Sequence, residues 1–165
     1  MSGSASSDEP TSGRFRENDD GVDLQRFSQG NTVKENAFRD NRARGIVLRS
    51  FSIDNLVEEN TFTGNNVGIL LFMATNSAVT ENIISASIVA GIRVNVIATG
   101  NLIEENTVMS SPAGIDFILT PTGSSTGNAL VENTIAMNTC GLKGPTDGNT
   151  LKENVFERNG ADRFP

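Results

Sequence analysis

The sequence contains no Trp, Tyr or His, and Phe supplies all of the aromatic residues, which make up 5% of the chain. The side chains most often used to shuttle protons and to stack against sugars are therefore largely missing. A single Cys, Cys140, excludes an internal disulfide and a Cys-rich metal site. Any chemistry on this chain must use carboxylates, Lys and Arg.

Positive charge is also scarce, and long apolar runs are missing. The formal net charge of −7 argues against a nucleic-acid partner, which would require clustered Lys and Arg to neutralise phosphates. No apolar run is long enough to cross a bilayer, so we expect no membrane partner. The polar opening "MSGSASSDEPTSG" has no signal-peptide core, and we predict a disordered leader over 1–14 followed by one domain over 15–165.

What the sequence does contain is an internal repeat. Six copies of the pair "EN" recur at intervals of 21 to 27 residues, and their asparagines are Asn36, Asn60, Asn82, Asn106, Asn133 and Asn154. In the first five copies a Gly follows eight or nine residues later and opens an alternating stretch such as "GIVL" or "GIRV". Alternation of this kind is typical of β-strands. Apolar residues three positions before and two positions after the Asn complete a unit of three short strands.

Repeats of 20 to 29 residues are found in leucine-rich repeats and in parallel β-helices. These units are poor in Leu, rich in Asn and without a helical apolar period, which favours the β-helix. We predict six to seven rungs of about 23 residues with three strands per rung. The segment "FRENDDGVDL" predicts that the chain begins part-way through a rung, and "NTLKENVFERNG" predicts that it stops before the third strand of the last one.

Stacked rungs bring like residues together along the axis of the helix. An Asn turned inward at a corner can donate to and accept from its neighbours above and below, so that buried polar groups are satisfied. We therefore predict that the six "EN" asparagines form a structural ladder. Repetition is thus explained by the fold, and function is to be sought at the positions that are not repeated.

The pattern of an apolar residue, two residues, Asn, one residue, an apolar residue, two residues, Asn, then Gly and an Ile-led strand, spans roughly residues 15–160. It resembles the right-handed parallel β-helix superfamily, which includes pectate-lyase-like polysaccharide lyases and hydrolases, alginate epimerases and carbohydrate-binding proteins of the periplasmic NosD type. The resemblance implies a right-handed β-helix, a polysaccharide partner, an extracellular or periplasmic location and, as one activity, a lyase acting on acidic polysaccharide. Similar alginate epimerases rely on Tyr and His, so epimerase activity is discounted here.

The outward position after each "GI" or its equivalent should form a column along the axis, made of Asp23, Val47, Leu70, Arg93, Asp116 and Lys143. We predict Asp116, Arg93 and Lys143 as the catalytic group, because a carboxylate between two cations can bind an acidic sugar and support proton removal. Asp23, Arg49 and Asn95 are predicted to bind substrate. The alternative interpretation is a solvent-facing ladder of salt bridges with little effect on stability.

Two further features leave alternatives open. Val47, Leu70 and Phe72 should point outward in adjoining rungs, which predicts either a homodimer interface or a patch covered by another segment. The Glu of each "EN" pair forms an acidic ridge; calcium is a possible ligand there, solvated turns are the alternative, and no metal site or cofactor is assigned. The competing function is a non-catalytic scaffold that self-associates through the apolar face or an open end of the β-helix.

Overall fold

The computed structural model describes residues 13–121 and 123–164, and every helix or strand assigned there is a β-strand. In chain order these are β1 Arg14–Arg16, β2 Asp20–Leu24, β3 Thr32–Lys34, β4 Ala37–Arg39, β5 Arg44–Arg49, β6 Leu56–Glu58, β7 Thr61–Thr63, β8 Val67–Phe72, β9 Ala78–Thr80, β10 Ile83–Ser85, β11 Ala90–Asn95, β12 Leu102–Glu104, β13 Thr107–Met109, β14 Ala113–Phe117, β15 Ala129–Val131, β16 Thr134–Ala136, β17 Cys140–Lys143, β18 Thr150–Lys152, β19 Val155–Glu157 and β20 Ala161–Phe164. Within the described residues there is no helix long and apolar enough to cross a membrane.

The strands form three parallel sheets that the chain visits in rotation. The first sheet has the order β1-β4-β7-β10-β13-β16-β19, the second β2-β5-β8-β11-β14-β17-β20, and the third β18-β15-β12-β9-β6-β3. Each full rung takes one strand from the third, the first and the second sheet, so that successive rungs stack in register. This is the right-handed parallel β-helix predicted from the sequence, with seven turns.

Both predicted ends need correction. Residues 1–12 of the predicted leader lie outside the described residues, and Arg14, which was predicted to be the last residue of the leader, belongs to β1. The expectation that the chain stops before the third strand of its last rung is wrong. Residues 161–164 form β20, which pairs with β17.

The core repeats four inward apolar positions per rung, as the alternation predicts. In the rung from β6 to β8 these are Val57, Phe62, Ile69 and Leu71, and all four are fully buried. Burial of such side chains contributes about 1.5–3 kcal/mol each, which one rung cannot balance against its own ordering, so stacking is required. The Gly that opens the long strand is needed for close approach, because a Cβ on Gly68 would lie 2.5 Å from the carbonyl oxygen of Gly91.

The predicted asparagine ladder is confirmed at the corner between the third and first sheets. Asn106 shows the pattern: its Nδ2 donates to the carbonyl oxygens of Val79 and Glu104 at 2.8 and 2.9 Å. Nδ2 also donates to Oδ1 of Asn133 at 3.0 Å, while Oδ1 of Asn106 accepts from the backbone and the side chain of Asn82. One side chain therefore satisfies groups in three successive rungs.

Two more ladders occupy the other corners, five residues before and five residues after each "EN" asparagine. The first of them contains Asn31, Asn55, Ser77, Asn101, Asn128 and Asn149, and the second contains Asn41, Asn65, Ser87, Ser111, Asn138 and Asn159. The residue before a ladder position has a left-handed backbone, with φ of 53° at Asp54, 53° at Glu59 and 66° at Gly64. Each Glu of an "EN" pair is thus a corner residue, and the Asn that follows it turns into the core.

Candidate functional site on the outer face of the second sheet

The strands of the second sheet pair in the register that was predicted for the functional column. Arg93 pairs with Asp116 between β11 and β14, and Asp116 pairs with Lys143 between β14 and β17. Because neighbouring parallel strands lie about 4.8 Å apart, the three side chains are close neighbours on one face. We call the outward side of this sheet the outer face.

The alternative interpretation as a solvent-facing ladder of salt bridges placed Asp116 in water, but Asp116 is only 1% exposed. Arg93 donates to it from Nε at 3.0 Å and from Nη2 at 2.7 Å, and both bonds end on Oδ2. The second carboxylate oxygen, Oδ1, is buried and has no hydrogen-bond partner in the described part of the chain. A buried acceptor without a donor costs about 1–3 kcal/mol, so this oxygen has unused capacity for a donor group.

Lys143 lies beside this pair with its ammonium group uncommitted. Its side chain is exposed, and in residues 13–121 and 123–164 it makes no ion pair within 4.0 Å. On the same strand Cys140 is buried, and its thiol donates to the carbonyl oxygen of Leu142 at 3.3 Å. Burial raises the pKa of the Cys140 thiol, so it stays protonated near neutral pH and is a poor nucleophile.

The predicted substrate-binding residues fall into two places on the outer face. Arg49 makes a two-pronged ion pair with Asp23, from Nε to Oδ1 at 2.9 Å and from Nη2 to Oδ2 at 2.5 Å. This carboxylate raises the pKa of Arg49 through the hydrogen bond. Asn95 lies in the same column as Arg49 with Phe72 between them, and its Oδ1 is buried without a partner in the described residues.

A second two-pronged pair was not predicted. Arg44 donates to both oxygens of Asp20, at 2.6 and 2.7 Å, and these hydrogen bonds raise the pKa of Arg44. The repeat alignment that defined the predicted column also aligns this pair, because Asp20 and Arg44 lie three residues before Asp23 and Val47. The predicted column contains only one outward position of each strand, so the neighbouring column with Asp20 and Arg44 was not predicted.

Sequence analysis left two alternatives for the apolar patch of Val47, Leu70 and Phe72, a homodimer interface or a patch covered by another segment, and most of the patch is buried. Val47 is fully buried and Leu70 is 8% exposed, and together with Val67 they form a small apolar cluster separate from the core. Partly buried Phe72 and Val89 pack against this cluster. The residues do lie outside the sheet, as predicted, but they are already covered, so these residues do not provide the exposed surface expected for a homodimer interface.

The acidic ridge brings three carboxylates together at one corner. Ligand oxygens of Glu58, Glu59 and Glu81 lie within 4.8 Å of one another. Lys34 already donates from Nζ to Glu58 and to Glu59, at 2.8 Å each, and these bonds raise its pKa. The ammonium group therefore competes with any cation for two of the three carboxylates, and calcium remains a prediction.

Comparison with known families identifies the chain. A family model described as "Periplasmic copper-binding protein (NosD)" matches residues 4–162. The chain therefore belongs to the NosD family, one branch of the superfamily that its repeat resembles. A search of curated protein sequences gave no match.

Solved structures of similar fold include alginate-modifying enzymes. The A-module of mannuronan C-5 epimerase AlgE4 from Azotobacter vinelandii has a TM-score of 0.77 and 16% identity, over 92% of this chain and 48% of that one. A mutant of the periplasmic alginate epimerase AlgG has a TM-score of 0.77 and 22% identity, over 86% of this chain and 34% of that one. At these identities the likeness shows the fold alone, and the chain spans less than half the length of either structure.

The family description mentions copper, and the chain does not offer the imidazole and thiolate ligands of a copper site. Copper prefers imidazole, thiolate or thioether ligands, yet the chain has no His. The thiol of Cys140 is buried and donates to a backbone carbonyl. In the described residues, the grouped Cys, Asp or Glu ligands consist only of the three carboxylates of the ridge, which are hard oxygen ligands.

Proposed function

We propose that this chain is a polysaccharide-interacting β-helix and that the outer face of the second sheet is its binding surface. The observation that carries the proposal is the arrangement of Arg93, buried Asp116 and uncommitted Lys143 in successive rungs. The similar structures AlgE4 and AlgG are, by name, epimerases of mannuronan and alginate, which supports a polysaccharide as the ligand class.

The roles of the three residues follow from their surroundings. Asp116 holds the Arg93 guanidinium through two hydrogen bonds, so that the cation is fixed on the sheet. Lys143 supplies a free positive charge for an acidic group of the sugar. Oδ1 of Asp116 is buried, so this carboxylate positions Arg93 and does not itself contact the ligand. Two neighbouring cations suit a polymer that carries carboxylate groups.

The test is binding of the purified chain to acidic and neutral polysaccharides by affinity electrophoresis and calorimetry. Lys143→Met is expected to weaken binding of an acidic polymer by about tenfold, and the loss should shrink as salt is added. The matched control is Lys152→Met, because Lys152 is an exposed Lys in the third sheet, paired only with exposed Glu153. Equal effects of the two changes would show that only net charge matters and would overturn the outer face as the binding surface.

A lyase acting on acidic polysaccharide is a second candidate, favoured by the position of Lys143 beside Asp116. Only in its deprotonated form can Lys143 take the proton next to a uronate carboxylate, while the fixed guanidinium of Arg93 neutralises the developing charge. The test is the absorbance of the unsaturated product across a panel of uronate polymers, with and without calcium. Product that disappears in both Asp116→Asn and Lys143→Met would support catalysis, and absence of product from every polymer would leave binding alone.

The competing proposal is a non-catalytic scaffold that self-associates. Its expected contact surface is covered, because Val47 and Leu70 are buried. Size-exclusion chromatography with light scattering tests it directly: a dimer that survives Lys143→Met, together with no binding to any polysaccharide, would favour the scaffold. For location we propose the periplasm or the cell exterior, since both the NosD family and the similar epimerase AlgG are described as periplasmic.

A further inference from the structure

The lower end of the first sheet carries three arginines that the proposed site does not use. Phe15 and Phe38 in β1 and β4 pack against the core, where their rings stack with centroids 4.9 Å apart. The residues on either side of them point outward, because side chains alternate along a strand. Arg14, Arg16 and Arg39 occupy three of these outward positions, and all three are exposed.

The strand register brings the three arginines close together. Arg16 lies directly opposite Arg39 in the neighbouring strand, and Arg14 lies opposite Ala37. Neighbouring strands are about 4.8 Å apart, and two residues along one strand cover about 6.6 Å. An Arg side chain is long enough to span these distances, so the three guanidinium groups can reach one common point above the sheet.

The three side chains surround a shallow basin in the surface. Its volume is about 270 Å³, and it is lined by Arg14, Phe15, Arg16, Ala37 and Arg39. The small side chain of Ala37 leaves space between the arginines, and none of the described residues that line the basin is acidic. The volume lies just below the range of about 300–1,000 Å³ that is typical of small-molecule sites. The basin is therefore suited to one small group of a ligand.

The three positive charges have no acidic partner in the part of the chain that the structure describes. Within these residues none of the arginines makes an ion pair within 4.0 Å. Glu17 and Asp40 follow them at the next corner, but Oδ1 of Asp40 lies against Gly64 of the rung above. Like charges at opposed positions of neighbouring strands repel each other. An anion in the basin would relieve this repulsion.

The surroundings restrict an anion to this basin. A second depression, of about 310 Å³, adjoins the basin, but Glu35 and Glu59 are part of its lining. Their carboxylates repel an anion. Above the basin the outward positions of the first sheet are Thr61 and Thr63, which carry no charge. The attraction for an anion is therefore centred on the three arginines.

We propose that the basin binds one tetrahedral anionic group, a phosphate or sulfate ester. Such a group presents three terminal oxygens, so each of the three guanidinium groups can donate to an oxygen of its own, whereas a carboxylate presents only two. The inference goes beyond the proposed function, because the basin lies on a different sheet and toward the opposite end of the stack from Lys143. The outer face selects a carboxylate, and the basin selects an ester.

The test compares probes that share one sugar and differ in the anionic group: mannose 6-phosphate, mannose 6-sulfate and mannuronic acid, with inorganic phosphate as a fourth. Arg39→Met removes one charge, and Ala37→Leu fills the basin without changing the charge. The control is Arg158→Met, because Arg158 is exposed, follows β19 at the upper end and makes no ion pair within 4.0 Å in the described residues. Calorimetry at constant ionic strength measures binding, and thermal unfolding shows that each variant folds.

Wild type is expected to bind both esters at least tenfold more tightly than mannuronic acid. Arg39→Met and Ala37→Leu should each weaken ester binding about tenfold, while Arg158→Met and Lys143→Met should leave it unchanged. Mannose 6-phosphate should raise the thermal midpoint of wild type but not that of Arg39→Met. If the free ion binds as tightly as mannose 6-phosphate, the basin recognises phosphate alone; tighter binding of the ester assigns it to a sugar ester, and both results support the site.

Three outcomes would overturn the proposal. Equal losses in Arg39→Met and Arg158→Met would show that only net charge matters. Wild-type affinity in Ala37→Leu would place the anion outside the basin. Binding of mannuronic acid as tight as that of the esters would remove the preference for a tetrahedral group. A loss of ester binding in Lys143→Met alone would also move the anion to the outer face, so failure of the basin can be told apart from failure of the proposed function.

Discussion

The lower and upper parts of the outer face hold the same kind of ion pair in different ways. In the lower rungs Arg49 spreads its two bonds over both oxygens of Asp23, and the side chains are 38% and 24% exposed. In the upper rungs Arg93 directs both bonds to one oxygen of Asp116, which is 1% exposed. The lower carboxylate is fully used, whereas the upper one keeps a free oxygen. The same two residue types thus form different ion pairs. We call the Arg49–Asp23 pair closed, because both carboxylate oxygens accept hydrogen bonds, and the Arg93–Asp116 pair unfinished, because one oxygen does not.

The two pairs also differ in the cost of desolvation. A partly exposed pair keeps most of its contact with water and contributes about 0–1 kcal/mol. A buried pair suffers a large desolvation penalty that its attraction only partly offsets, so apolar residues at the same positions are often as stable or more so. Val47 and Leu70 in the same column show that apolar residues are accommodated there. Stability alone therefore does not account for the charges at Arg93 and Asp116, and the binding role proposed for them predicts that they can be replaced without loss of stability.

The largest expected effect comes from removing the cation that pairs with buried Asp116. Arg93→Met leaves the Asp116 carboxylate buried and unpaired, and should lower the free energy of unfolding by about 3–5 kcal/mol. Arg49→Met, the matched change in the lower pair, should cost about 0–1 kcal/mol. Urea unfolding monitored by circular dichroism measures both. Similar losses in the two variants would remove the distinction between the pairs.

The next effect comes from neutralising the acid while keeping its shape. Asp116→Asn should destabilise by about 1–3 kcal/mol, because the charge-assisted bonds from Arg93 are weakened and an amide is left partly unpaired. Asp23→Asn provides the comparison in the lower pair and should stay within about 1 kcal/mol of wild type. Urea midpoints at neutral pH decide the result, and a larger loss for Asp23→Asn would reverse the assignment of the closed and unfinished pairs.

A double replacement separates stability from binding. Arg93→Leu with Asp116→Val extends the apolar column of Val47 and Leu70, and should bring the free energy of unfolding to within about 1 kcal/mol of wild type. Polysaccharide binding should nevertheless be lost, which calorimetry with an acidic polymer measures. A stable double variant that still binds as tightly as wild type would show that the unfinished pair has no part in recognition.

The prediction of the ladder asparagines and of the strand register from sequence succeeded for a physical reason. Each rung must satisfy the same corner groups and fill the same core positions, so residues such as Asn60 and Phe62 are repeated and can be aligned. The ladder that lies five residues before each "EN" asparagine could have been predicted in the same way. It was overlooked because Ser77 interrupts the asparagines and the flanking residues vary.

Burial on the outer face could not be read from the repeat. Alternation showed that Val47, Leu70 and Asp116 point away from the core, but not that neighbouring side chains cover them. Such cover depends on the direction in which the long side chains of adjacent rungs extend across the sheet. This direction does not repeat with a period in the sequence. The shorter corner at 73–74 was visible as a 22-residue interval, yet only the register showed at which corner the residue is missing.

The smallest expected effect on stability is at Lys143. Lys143→Met removes an exposed, uncommitted charge and should change the free energy of unfolding by no more than about 0.5 kcal/mol. Thermal unfolding checks this against the loss of binding expected for the same variant. A large loss of stability would mean that Lys143 is part of the structural pairing with Asp116.

The corner ladders have a consequence for how the chain folds. Their side-chain bonds between rungs join residues 21 to 30 positions apart, wherever along the axis they occur. Each new rung therefore closes a loop of nearly the same length, and the entropy of closure does not grow as the stack lengthens. The slow step is the pairing of the first two rungs, after which growth proceeds by repeated addition at either end. A β-helix of this design can gain or lose whole rungs with little change in its folding rate, so that its length can vary without a kinetic penalty.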